Sequence, residues 1–136
     1  MTLPMKKLTT AIIFIVLLFI SCNKEEIKTD PDNPLLGIWN YSNFQDNMWI
    51  YTRNLEFIDN HCYEFKNDGT LIERKNSGWC GTPPITYADY PGTWSLLNDT
   101  LVQIKVGYWG GTASYKLDIE SVDSKFLKAT IVEPDK

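Results

Sequence analysis

The chain has 136 residues, 43% of them hydrophobic, 13% aromatic and 22% charged, which allows one compact core and argues against a disordered chain. The formal net charge of −4 still counts Lys6 and Lys7 near the start, so the remainder is more acidic. That balance argues against nucleic acid as a partner, because phosphate binding needs clustered Lys and Arg. His61 is the only histidine and no nucleophile–base pair can be argued from spacing, so neither an enzyme nor a cofactor is expected.

Lys6-Lys7 is followed by an unbroken apolar run over residues 11–20 and then by Ser21-Cys22, the anatomy of a signal peptide. As a helix that run rises only about 15 Å, roughly half of a hydrocarbon core, which is short for a membrane span. Leu18-Phe19-Ile20-Ser21-Cys22 resembles the lipobox of bacterial lipoproteins, with Phe19 where leucine is usual. The resemblance implies a diacylglyceryl group on the Cys22 thiol and cleavage before it, Ser21 supplying the small residue. Two or more acyl chains anchor stably, at about 0.8 kcal/mol for each buried methylene. The expected partner is therefore a membrane, held through the lipid, and the expected location is the envelope of a Gram-negative bacterium, on the periplasmic or surface side of the outer membrane.

Residues 1–21 thus read as signal peptide and 22–34 as lipidated cysteine and tether. The stretch from Asn23 is polar, contains Pro31 and Pro34 and has no apolar period. Acidic stretches of this kind resemble surface-export signals of some Gram-negative lipoproteins, though Lys24 interrupts this one. A plain spacer is the alternative.

From Leu35 to the end the pattern has period two. Val102, Ile104, Val106 and Tyr108 alternate with Leu101, Gln103, Lys105 and Gly107, and Tyr115, Leu117 and Ile119 alternate with Lys116, Asp118 and Glu120. Leu127, Ala129 and Ile131 repeat the pattern. Asn67-Asp68-Gly69, Asn98-Asp99, Gly110-Gly111 and Asp123-Ser124 supply turns. With strands over 38–42, 49–57, 63–65, 93–97 and 100–108, about eight short strands are expected, as in an all-β barrel or sandwich. Closure removes sheet edges and favours the barrel.

Leu36-Gly37-Ile38-Trp39 resembles the Gly-x-Trp opening of lipocalins. Tyr63-Glu-Phe65-Lys-Asn-Asp-Gly69-Thr-Leu71 and Gly92-Thr-Trp94-Ser-Leu96-Leu-Asn-Asp-Thr100-Leu101 resemble the short lipocalin-like domains of bacterial lipoproteins. The resemblance implies a small antiparallel up-and-down barrel over 35–136 that binds a small ligand or an envelope component, with no catalytic residues to carry over. In larger lipocalins a basic residue late in the barrel covers the first-strand Trp, and here Lys125 or Lys128 would serve.

Once Cys22 is lipidated, Cys62 and Cys80 remain, and outside the cytoplasm they are expected to pair. Such a disulfide contributes roughly 3 kcal/mol in the chain-entropy model. His61 with both thiolates as a metal site is the weaker reading, since no fourth ligand is spaced for it. Alternate positions from Trp49 place Trp49, Tyr51, Arg53, Leu55 and Phe57 on one face. Arg53 either meets the carboxylate or phosphate of an amphipathic ligand or reaches out at the barrel rim. Trp79, Tyr87 and Tyr90 fall in a Gly- and Pro-containing loop, and Tyr108-Trp109 at a strand end. These rings either stack on sugars or plug the barrel. Two functions follow for what is expected to be a monomer: binding of a small amphipathic or lipid-like ligand inside the barrel, or contact with protein or polysaccharide through the aromatic loops of a packed one.

Overall fold

The computed structural model describes residues 30–133. The signal peptide, Cys22 and the tether up to residue 29 lie outside the described residues. Eight strands follow in order: β1 (Gly37–Gln45), β2 (Met48–Asn54), β3 (Cys62–Phe65), β4 (Thr70–Asn76), β5 (Tyr87–Leu96), β6 (Leu101–Tyr108), β7 (Gly111–Val122) and β8 (Phe126–Val132). All neighbours are antiparallel and the ring closes in the order β1-β2-β8-β7-β6-β5-β4-β3, which is the all-β, up-and-down barrel of the expected class.

The turns form where short polar side chains can hold the backbone. Asp46 and Asn47 take φ of 53° and 64° and join β1 to β2, as a two-residue hairpin of matching twist requires. Asp68 Oδ1 accepts from the Thr70 amide and hydroxyl before β4. Asn98 Oδ1 accepts from the amides of Thr100 and Leu101 before β6, and Asp123 Oδ1 from those of Lys125 and Phe126 before β8.

Strands β3 to β8 pair in chain order, but β1 stands between β2 and β3. The chain leaving β2 at Asn54 therefore crosses the outside of β1 before starting β3 at Cys62. This crossing corrects the expected strand over 49–57, because residues 55–57 have already left the ladder. It also explains why Trp39 and Asn40 are both buried although they point to opposite faces. Trp39 enters the core, while Asn40 lies on the outer face, its Nδ2 donating to the Glu56 carbonyl of the crossing segment. Cys62, the cross-strand partner of Asn40, lies under the same segment and donates to the carbonyls of Ile58 and Asn60. Arg74 clamps the crossing from the next strand, donating to Ile58 O, lying over the Phe57 ring and pairing with Asp89.

The inner face carries Trp39, Tyr51, Tyr63, Phe65, Leu71, Val102, Ile104, Val106, Leu117, Leu127 and Ala129, all buried. Burying each large side chain of this kind contributes about 1.5–3 kcal/mol. Gly92 faces inward opposite Leu71 and Val106, where a Cβ would come within 2.4 Å of the Lys105 carbonyl oxygen. Every strand has two paired neighbours, so residues 35–132 close their own sheet and fold around one core.

Candidate functional site

The two ends of the barrel differ. β1 runs from one end to the other, so its start, together with Leu35, marks the first end. There Trp39 Nε1 donates to Leu35 O at 2.7 Å, bending the incoming chain across the barrel. Arg53 is the direct partner of Trp39 across the β1–β2 ladder, and its guanidinium carbon lies 4.1 Å from the indole centroid. Its nitrogens donate to four carbonyls: Nε to Ser124, Nη1 to Leu36, and Nη2 to Pro34 and Asp123. Burial pulls the guanidinium pKa down, and Asp123 opposes this, but an arginine stays charged in a protein. Beside β1, β2 and β8 this end is capped by a cation whose donors are taken up by backbone oxygen.

This arrangement corrects two expectations. The basic residue over Trp39 is Arg53, not Lys125 or Lys128, because β2 lies beside β1 in register, whereas Lys125 is exposed in the β7–β8 turn and Lys128 alternates away from the inward-facing Leu127 and Ala129. Arg53 also reads differently from a ligand-facing cation: its fork is spent on the chain itself. Gly37 of the Gly-x-Trp motif is explained at the same point. Its φ is +116°, and a Cβ there would come within 2.8 Å of Arg53 Nη1.

The second end is formed by the β1–β2 hairpin, the 77–86 loop, the β6–β7 turn and the start of β3. Just inside it lies a polar cluster the sequence reading did not assemble. Glu73, on the inner face of β4, is buried, and its Oε1 accepts from His61 Nε2 at 2.8 Å while Oε2 accepts from Lys75 Nζ at 2.9 Å. Burial would raise the Glu73 pKa, but the hydrogen bond and charge of His61 and the ammonium of Lys75 outweigh it and hold the carboxyl below its ordinary value. An ionised carboxylate only accepts, so His61 Nε2 carries hydrogen. The other ring nitrogen, Nδ1, meets Tyr51 Oη at 3.1 Å. Tyr51 is fully buried, and burial first, then Glu73, pushes its pKa upward, so it stays a neutral phenol. The line Tyr51, His61, Glu73 therefore organises a buried surface and presents no accessible nucleophile.

Beside it Tyr63 and Tyr115 meet hydroxyl to hydroxyl at 2.6 Å, tying β3 to β7 across the interior. Above them opens a cavity of about 310 Å³ lined by Glu73, Ala113, Ser114, Tyr115, Ile131 and Glu133. In the ring β4 stands opposite β8, so a cavity lined from both walls is the mouth of the barrel itself. Its volume lies at the lower bound of small-molecule pockets.

Trp49 and Tyr51 point into the barrel in the half nearest this mouth, Trp49 packing on Tyr41 and Phe44 with ring centroids 5.4 and 5.5 Å away. A bulge between Tyr41 and Asn43 puts Phe44 opposite Trp49. Trp79, in the 77–86 loop, is 80% exposed, and Trp109, in the β6–β7 turn, 55% exposed. Tyr108 ends β6 and packs edge-on against Trp109. All these candidates except Arg53 therefore belong to one end. Tyr87 and Tyr90, expected in a loop, belong to β5, which starts six residues before the expected Thr93.

The expected disulfide is not formed: Cys62 and Cys80 are both free. Cys62 is sealed beneath the crossing segment, with burial raising its pKa, while Cys80 is exposed in the 77–86 loop, where bonds to Thr82 lower its own. Among the described residues no group of three or more His, Cys, Asp or Glu side chains is placed to hold a metal ion. Glu73 had one signal in the sequence: after the Asn67-Asp68-Gly69 turn, alternation from Leu71 places Glu73 and Lys75 on the core face. No family model, curated protein or solved structure matches this chain.

Proposed function

We propose that this chain is a non-enzymatic, lipocalin-like lipoprotein of a Gram-negative envelope, anchored through Cys22, whose barrel mouth binds a small amphipathic ligand. The observation that carries the reading is the cavity between β4 and β7–β8, with apolar Ala113 and Ile131 on one wall and buried Glu73 on the other. An apolar body with a few placed polar groups is what such a concave site selects. The Gly37-Ile38-Trp39 opening and the cation stacked on Trp39 support the lipocalin-like reading. The chain joins the domain at the Arg53 end, where Pro34 and Leu36 are held. A tether from Cys22 would then leave the mouth facing away from the anchoring membrane.

Native mass spectrometry of residues 23–136, as purified and after exposure to an envelope lipid extract, tests this. A bound small molecule of defined mass is the expected result, and bare protein in both samples would refute it. A second reading rests on Trp79 and Trp109, exposed on the same rim: flat rings there would stack on a polysaccharide or a protein partner. Retention on immobilised polysaccharide, lost when both are changed to Ala, would distinguish it.

A further inference from the structure

We propose that the ligand of the barrel mouth carries a protonated amine, its ammonium seated against Glu73 and its apolar body against Tyr115, Ala113 and Ile131. This rests on the ligand-binding reading above and adds the chemical class. The carboxyls lining the cavity are those of Glu73 and Glu133, and among the described residues no Lys or Arg is part of its lining. Once Lys75 has left Glu73 Oε2, an anionic head would meet like charge there, whereas an ammonium would take the place of the one displaced, on a wall that excludes much of the water.

The chain itself shows how the site treats an ammonium. Lys75 Nζ lies 2.9 Å from Glu73 Oε2 and 5.5 Å from the centroid of the Tyr90 ring, so it rests between a carboxylate and an aromatic face. That pairing holds alkylammonium groups in general. Lys75 stands one residue from the end of β4 at the mouth, on a flexible four-carbon stem, with its side chain 19% exposed. It can swing outward and leave Oε2 to an incoming cation. His61 remains on Oε1 and keeps the carboxylate oriented. Lys75 thus acts as an internal occupant that a ligand amine replaces.

The test is an NMR titration of residues 23–136 with three probes sharing one body: phenethylamine, 2-phenylethanol and 3-phenylpropanoate. The amine is expected to bind at least about tenfold more tightly than the alcohol, a difference of about 1.4 kcal/mol, and the carboxylate more weakly than either. Lys75→Met should raise amine affinity severalfold and leave the alcohol unchanged. Glu73→Gln should erase the preference for the amine, and if that variant does not fold, the probe series and Lys75→Met still decide. Equal affinity for all three heads, or no binding of the amine, overturns the amine assignment. A ligand of other chemistry in the native mass spectrum would then leave the binding reading standing, and bare protein there would remove both.

Discussion

Arg53 lies over Trp39, its guanidinium carbon 4.1 Å from the indole centroid, and the two residues are direct partners on adjacent strands. The same guanidinium bonds the carbonyls of Pro34, Leu36, Asp123 and Ser124. It therefore joins the incoming chain to the β7–β8 turn on the far side of β2, and one side chain caps that side of the barrel end. Arg53→Met keeps an apolar stem over the indole but removes the fork, leaving those carbonyls short of a donor. We expect a loss of about 3 kcal/mol in urea unfolding. Arg53→Lys should recover less than half of it, because an ammonium cannot span four acceptors as a planar fork does. Ligand affinity of the folded fraction should not change, since the mouth is at the other end.

Glu73 makes stability depend on acid. Its folded pKa is depressed because His61 and Lys75 outweigh the cost of burial, so the unfolded chain takes up the proton more readily than the folded one. The stabilisation is complete above the ordinary glutamate pKa of about 4.3 and fades as pH falls from there through the folded value. Thermal midpoints measured from neutral pH down to about pH 2 should fall less steeply for Glu73→Gln than for the parent below about pH 4.3. Asp68, Asp89 and Asp123 are also depressed but are common to both proteins, so the difference isolates Glu73. Parallel curves would show that the carboxylate contributes nothing.

The thiols should separate by accessibility. Cys80 is exposed and its pKa lowered, whereas Cys62 is buried and its pKa raised. A thiol reagent added to the leaderless native protein should modify Cys80 promptly and Cys62 only after urea is added, because the thiolate is the reacting form and must be reached. A protein with no titratable thiol even in denaturant would instead carry the disulfide.

Tyr63 and Tyr115 bond to each other from strands on opposite sides of the interior. Changing either one to Phe leaves the other hydroxyl buried without its partner, at an expected cost of about 1–2 kcal/mol. The double variant should cost less than the two singles together, with a coupling of about 1 kcal/mol in a urea-unfolding cycle. Strict additivity would mean that the contact is not formed in solution.

Much of the barrel wall was legible because a half-buried strand writes its two faces into alternate residues. Strands β6, β7 and β8 follow that rule almost without exception, and Trp39 stood out as the Trp of the Gly-x-Trp motif. Strand β5 was read short because Pro91-Gly92 looks like a break, yet Pro91 lies in the ladder opposite Ile72. Strand β4 did not stand out because Glu73, Arg74 and Lys75 look like a wet surface. Only the folded chain shows that Glu73 is paired with Lys75 and His61 and buried while Arg74 clamps the crossing segment. Leu55 and Phe57 continued the alternation of β2 and so disguised the start of that crossing.

By itself, then, the sequence determined most of the strand segments, which face of them is apolar and several of the turns that join them, since these depend on neighbours two to four residues apart. The tertiary structure alone decided that β1 lies between β2 and β3, that Arg53 rather than a late lysine covers Trp39, and that one end is closed while the other opens over Glu73. Those features rest on pairs such as Arg53 with Ser124 and Tyr63 with Tyr115. Their meeting depends on how the sheet closes, and no local periodicity carries that information.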